Sequence, residues 1–376
     1  MLTFFYGGTG TGKSYAMMDK IKQAAENGRK VCVIVPDQFT FEYEHMLYNH
    51  LGCALFNKGN TEVWSFSRLA ADIFRCTKAP EGMGADSTVK TAVMYKVIHL
   101  ISEREGLLFF DKQAKRASFA NTALTMLSEL IHSGVTPEVL GEILKTAPDN
   151  MRDKLTDLFL IYSEYSSELA ALGMRDILLD ARLAADMAEQ NGYFNDMCLF
   201  MDEFKSFTGD QYNMIRVMLS QCTELTVCMT SDDIGKGGFG PFTAVNETCA
   251  GLSSIAAELG KKINKVKFYD NKRYKSEELF ELSKNLLRLP SKAYNGDGGN
   301  ITLVTAPDIY GECDYICAAI CELTAADRSL RYSDIAVLSR AMNDDISVLA
   351  PHFERYNIPY YSDKKRPAGH KPLMLM

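Results

Sequence analysis

The residues best suited to chemistry sit near the amino terminus. Gly7-Gly8-Thr9-Gly10-Thr11-Gly12-Lys13-Ser14 has the spacing G-x-x-x-x-G-K-[ST]. Glycines let the backbone curl so that successive N–H groups point inward at an anion. A helix beginning near Lys13 adds its positive end to the same point. Lys13 would then reach β- and γ-phosphates, and the Ser14 hydroxyl would hold Mg²⁺. The chemistry implied is binding of ATP with Mg²⁺; the alternative is a glycine-rich turn that binds nothing. A phosphate loop also needs a carboxylate. Asp202 closes the apolar run Cys198–Met201, the place from which an aspartate holds Mg²⁺ through water, and Glu203 is the natural base for an attacking water. The competing reading is a solvated approach to a helix, with Asp202 or Glu203 capping it. Nucleotide binding and hydrolysis are separate claims.

The elements around these residues follow from pattern. Leu2–Tyr6 is an apolar run ahead of the glycine loop, and a helical pattern continues to Asn27. Val31–Val35 reads as a buried strand, ended by Pro36 and followed by the loop Asp37–Thr40 and a helix over Glu42–Leu51. Loops at the carboxyl ends of strands form the ligand crevice of open α/β sheets. Gln38, Phe39 and Tyr43 are therefore candidates to touch a partner, with plain packing as the alternative for Phe39 and Tyr43. Glu62–Phe66 reads as a third strand. Between about Pro80 and Tyr193 apolar residues recur at three- and four-residue spacing with no strand pattern, predicting a helical block inserted between α/β segments. Strands resume at Cys198–Met201 and Leu225–Thr230, with a helix from about Gly209 to Cys222 between them. Ile234–Pro241 is a glycine-rich loop and 295–300 a linker. Beyond it, Ile301–Thr305, Ile335–Ser339 and Ile358–Ser362 read as strands and Gly311–Leu323 as a helix. An apolar run barely begun after Lys371-Pro372-Leu373 reads as a fragment's end.

A chain of 376 residues suggests two or three domains. With 47% apolar and 24% charged residues the balance is that of a globular protein. No apolar run is long enough to span a bilayer, and no signal-peptide pattern opens the chain. The ten cysteines lie mostly in apolar runs and form no C-x-x-C pair, which points to reduced thiols and a cytoplasmic setting. Cys313, Cys317 and Cys321 recur every fourth residue. They read as a core stripe with Ile316 and Ile320, or as part of a metal or cluster site that lacks a nearby fourth ligand. The net charge of −7 restricts any nucleic-acid contact to a local basic groove. Arg68 and Trp64 could serve such a groove, although a tryptophan such as Trp64 more often belongs to the core.

The stretch Asp202–Thr208, with Gln211-Tyr212 following, resembles motif II of UvrD/Rep-like superfamily 1 helicases. Ile335–Arg340 is similar to motif IV of that family. On that resemblance Arg340 is an arginine-finger candidate; the alternative is a surface arginine after a strand. Val35–Phe41, Ser65–Ala70, Phe204–Thr208 and Ile358–Tyr361 ahead of His370–Leu373 together resemble the AddB subunit of the AddAB helicase–nuclease. The resemblance implies a RecA-like P-loop parallel sheet with an all-helical insertion and the start of a second RecA-like domain. Residues 1–79 and 190–290 would form the first domain, 80–189 the insertion, and 296–376 the truncated second. It also implies a bacterial, cytoplasmic double-strand-break repair subunit, paired with an AddA-type helicase/nuclease subunit on single- and double-stranded DNA. The nuclease domain and iron–sulfur cluster of that family would lie beyond this fragment. A working superfamily 1 motor carries Gly-Asp-x-x-Gln after the strand corresponding to Leu225–Thr230. Here the stretch is Ser231-Asp232-Asp233-Ile234, without the glutamine. The resemblance thus favours a DNA-binding and Chi-recognition scaffold with weak or no motor activity. An active helicase motor and another P-loop ATPase or kinase are the alternatives.

Overall fold

The computed structural model describes residues 1–362 apart from 57–59, 105, 236–239, 287–289 and 291. The chain divides into two compact units, Met1–Gly296 and Asp297–Met376.

The first unit is built on β1 (Leu2–Gly7), β2 (Lys30–Ile34), β3 (Thr61–Trp64), β4 (Met83–Ala85), β5 (Met174–Asp176), β6 (Met197–Met201), β7 (Glu224–Thr230) and β8 (Ile263–Phe268). Six of them form one all-parallel sheet in the order β3-β2-β6-β7-β1-β8. Parallel strands are covered on both faces, which is why β2, β6 and β7 read as unbroken apolar runs. Alternate side chains feed two cores. Leu2, Phe4, Ile34, Leu199, Met201 and Val227 pack against helices Phe66–Cys76, Asp180–Asn191, Gly209–Gln221 and Thr243–Glu258. Phe5, Val31, Val33, Cys198, Phe200 and Cys228 pack on the other face, against helices Lys13–Glu26 and Thr40–Leu51. The register aligns the strand exits: Gly7 pairs with Thr230 and Phe268, and Met201 pairs with Ile34. The loops that leave these residues therefore share one edge of the sheet.

A separate cluster fills the helical block, where Val97, Ala123, Leu127, Ile161 and Tyr165 interlock helices Ser87–Arg104, Phe119–His132 and Asp149–Ala171. The expectation of a block without strands needs correction: β4 and β5 pair in parallel, Met83 with Met174 and Ala85 with Asp176. Three residues per strand carry too little alternation to register as a pattern. The helix Asp180–Asn191 sits with the sheet, since Ala184, Ala185 and Ala188 belong to the sheet's core.

In the second unit helices Ile309–Ala326 and Met342–Arg355 pack through Cys313, Cys317, Ile320, Leu349 and Phe353. Ile301–Thr305, Ile335–Ser339 and Ile358–Ser362, read as strands from sequence, carry no ladder pairing among the described residues. A strand is defined by a hydrogen-bonded neighbour as much as by its side chains. Here Leu303 is 97% and Leu338 91% exposed, so these apolar residues face solvent. The segment His370–Leu373 and residues 236–239 of the glycine-rich loop lie outside the described residues.

Candidate functional site

The glycine loop leaves β1 at Gly7, where a Cβ would meet the Phe268 carbonyl oxygen at 2.5 Å. Gly10 and Gly12 adopt φ of 72° and 92°, backbone that L side chains rarely tolerate. Helix Lys13–Glu26 then starts with no side chain capping its first turn. Lys13 is 7% exposed, and its ammonium donates to the Gly7 and Gly8 carbonyls at 3.0 and 2.7 Å. Burial pushes its pKa down, with Arg273 acting in the same direction. The Thr11 hydroxyl donates to Gly8 O at 2.9 Å and holds the loop closed.

Asp202 arrives at this loop from β6, two strands away in the sheet. Its backbone N–H donates to Ile34 O at 3.2 Å, which extends the β2 register by one residue. Its carboxylate is 5% exposed and collects three donors. Ser14 Oγ donates to Oδ2 at 2.9 Å, the Glu203 N–H to Oδ1 at 2.8 Å, and the Tyr43 hydroxyl also to Oδ2. Burial raises the Asp202 pKa, opposed by those donors and by Lys13. Glu203 has φ 66°, a left-handed backbone uncommon for a side chain of its kind. Desolvation and then the charges of Asp202 and Glu42 raise its carboxyl, with Lys13 and Arg273 opposing.

These groups share a cavity of about 520 Å³, bounded by the loop and Lys13, by Phe39, Glu42 and Tyr43, by Asp202 and Glu203, and by Lys272 and Arg273. Every candidate from Thr9 to Ser14, with Asp202 and Glu203, lines it; Gly7 and Gly8 contribute the carbonyls that hold Lys13. Tyr15 stands at its mouth, 71% exposed. Arg340 is exposed and belongs to the second unit. Among the crevice candidates, Gln38 is exposed, Phe39 lines the cavity and Tyr43 is buried on Asp202. Arg68 pairs with Glu44 at 3.5 Å, and Trp64 leans on the sheet's core while its Nε1 donates to Glu62 at 3.2 Å.

Lys272 and Arg273 were not legible as site residues. They follow β8, whose I-N-K-V-K-F sequence is half-polar, as an edge strand allows. The loop then folds onto the glycines: the Lys272 N–H donates to Gly10 O at 2.8 Å, and the Tyr274 and Thr9 hydroxyls lie 2.8 Å apart. A Cβ on Gly10 would fall 2.6 Å from Arg273 Cβ. The available signal was the basic run Lys272-Arg273-Tyr274-Lys275 straight after a strand-length segment.

After β7, Ser231 is fully buried, donates to Asn246 at 2.8 Å, and gives its N–H to Gly7 O at 3.2 Å. Cys313 and Cys317 are buried in the second unit's apolar cluster with Cys321 at its margin. Among the described residues no group of three or more His, Cys, Asp or Glu side chains is arranged to hold a metal, and no helix is long and apolar enough to cross a membrane.

A mixed α/β protein with a parallel sheet, a helical insertion and a glycine loop facing a buried carboxylate is the class that fold and site define. Residues 4–283 match the family model described as ADDB, N-terminal, and the chain belongs to that family. It is 29% identical to the ATP-dependent helicase/deoxyribonuclease B subunit of Clostridioides difficile, 27% to that of Clostridium tetani and 28% to one of Clostridium perfringens. Each alignment takes in 100% of this chain and 33% of the relative. The chain thus spans about a third of the length of the curated relatives it matches.

Proposed function

We propose that this chain is the ATP-binding, helicase-like region of a helicase–nuclease subunit that works on DNA ends in double-strand-break repair. The observation that carries the reading is the meeting of Ser14 and Asp202. A hydroxyl at the start of one helix and a carboxylate 188 residues further on share a hydrogen bond at the lip of a loop plugged by a buried lysine. The residues fit Mg²⁺·ATP. The Lys13 ammonium hydrogen-bonds loop carbonyls within reach of the Asp202 and Glu203 charges, Arg273 adds a second positive charge to the lining, and the cavity sits at strand exits. When bound, Mg²⁺ supplies charge neutralisation between phosphates. The chain's own residues do the rest. Gly8–Gly12 would wrap the phosphates with N–H groups, Lys13 would turn from the carbonyls to phosphate oxygens, Ser14 and Asp202 would hold the cation, and Glu203 would stand beside it as the carboxylate available to a water.

On this reading the sheet is a RecA-like domain made of 1–79 and 190–290, interrupted by the helical insertion 80–189, with a second such domain beginning at 296. The partner is an AddA-type subunit, the nucleic acid single- and double-stranded DNA, and the setting cytoplasmic. The stretch Ser231-Asp232-Asp233-Ile234 lacks the γ-phosphate glutamine that a motor of this class keeps after the corresponding strand, which favours a DNA-binding, Chi-recognising scaffold. ATP with Mg²⁺ at a hundred times its dissociation constant stabilises the nucleotide-binding unit by about 2.7 kcal/mol. Differential scanning fluorimetry reads this as a rise in melting temperature, and Lys13→Ala abolishes the shift. A wild-type chain that does not respond sinks the proposal.

Glu203, held in left-handed backbone at the cavity, favours a second reading in which the site also hydrolyses ATP. DNA-stimulated turnover by the full-length subunit, lost in Glu203→Gln, distinguishes an active motor from a scaffold.

A further inference from the structure

We propose that Tyr43 is a positioning residue for the divalent cation: its buried hydroxyl fixes the Asp202 carboxylate in the orientation that, with Ser14, receives Mg²⁺. This rests on the triphosphate reading of the cavity.

Tyr43 lies in the first turn of helix Thr40–Leu51, which follows β2 after the short turn Asp37–Phe39, and is 3% exposed. Its ring packs in the core formed with Met17, Leu47 and Phe200, so backbone and side chain are held from two sides. Its hydroxyl donates to Asp202 Oδ2, the oxygen that also accepts from Ser14 Oγ. Oδ1 is occupied by the Glu203 N–H. Three donors from three elements thus fix both oxygens of one buried carboxylate. Of the three, Ser14 is the donor that must turn toward a cation, and the backbone N–H of Glu203 binds the other oxygen. Only Tyr43 is left to hold Oδ2 while Ser14 reorients. Partners of this kind orient a metal-holding group and tune it without touching the metal.

Tyr43→Phe keeps the ring and its packing and removes only the hydroxyl. In the full chain, nucleotide affinity is measured by fluorescence titration with a fluorescent ATP analogue, first in EDTA and then across a Mg²⁺ titration. The expected result is an EDTA affinity within about twofold of wild type and a Mg²⁺ midpoint raised by about tenfold or more. A merely structural role would move both measurements together. The Asp202→Asn background supplies the second test, because the acceptor there carries no charge: adding Tyr43→Phe should move the Mg²⁺ midpoint by less than about twofold. An equal effect in both backgrounds, or a Tyr43→Phe chain with the wild-type midpoint, overturns the proposal. A wild-type chain that binds no nucleotide overturns the triphosphate reading and the role of Tyr43 with it. Binding with an unmoved midpoint removes Tyr43 alone.

Discussion

Arg273 and Arg340 illustrate how far a residue's role depends on where the chain carries it. Arg340, the arginine that motif resemblance nominates, lies exposed in the second unit. Arg273 borders the cavity, and its charge bears on both Lys13 and Glu203. In the full chain Arg273→Ala should weaken nucleotide affinity by about tenfold, the loss of one charge-assisted contact, whereas Arg340→Ala leaves it within about twofold. Isothermal titration on the two variants checks the contrast, and equal losses would show that Arg340 contributes to ground-state nucleotide binding as much as Arg273 does. Elsewhere Asp72, 6% exposed, accepts from the Tyr193 hydroxyl and from Arg75. Burial pushes its carboxyl up, but the Tyr193 and Arg75 hydrogen bonds outweigh that and hold it below the ordinary value. A depressed folded pKa contributes stability that is present above the unfolded value, about 3.9, and is lost as pH falls through the folded one. Tyr193→Phe should therefore cost about 1.5 kcal/mol at neutral pH and progressively less below about pH 4. Urea unfolding across that range measures it, and a cost independent of pH would remove the carboxylate from the account.

At the scale of elements, the buried strands were legible because a parallel sheet leaves no polar face to blur the apolar run. Val31–Val35, Cys198–Met201 and Leu225–Thr230 come within a residue or two of the observed strands. β8 was missed because an edge strand carries lysines, which reads as a loop. The second unit fails in the opposite direction, since apolar and β-branched composition identifies a stretch able to pair and says nothing of a partner. In the helical block Asp157, fully buried, accepts the backbone N–H groups of Leu108, Phe109 and Phe110 at 3.0, 2.8 and 2.9 Å. One carboxylate thus replaces the ladder that a loop does not have, and it ties 108–110 to helix Asp149–Ala171. No local spacing announces it, because donor and acceptor stand 47 residues or more apart. Asp157→Ala should cost about 3 kcal/mol by leaving those donors unpaired, with faster hydrogen exchange at the same three amides. A change below about 0.5 kcal/mol would show that water takes over the carboxylate's place.

Across the whole molecule, the chemistry is assembled from segments that meet only after folding. The loop comes from β1, Asp202 from β6, Tyr43 from the helix after β2, and Arg273 from the chain after β8. The glycine loop was readable because its spacing is a local requirement of backbone geometry. Tyr43, after β2, was readable as a crevice residue but not as the partner of Asp202, and Arg273, after β8, was not readable at all, because the sheet's register is what carries their loops to the same edge. Each unit also has its own apolar cluster, with Cys228 2% exposed in the first and Cys317 fully buried in the second. Those thiols report opening of their own surroundings, since a buried cysteine reacts only after its core opens. Cys228 lies against Met17, on the helix that follows the glycine loop, so a ligand there stabilises the structure that covers it. At a hundred times the dissociation constant of Mg²⁺·ATP, global opening around Cys228 should become about a hundredfold rarer. Under conditions in which reclosing outpaces labelling, its alkylation slows by the same factor, while that of Cys317 stays unchanged. Site-resolved mass spectrometry of the alkylated chain distinguishes the two. Equal protection of both cysteines would mean that the units open together, and no protection of either would remove the nucleotide from the loop.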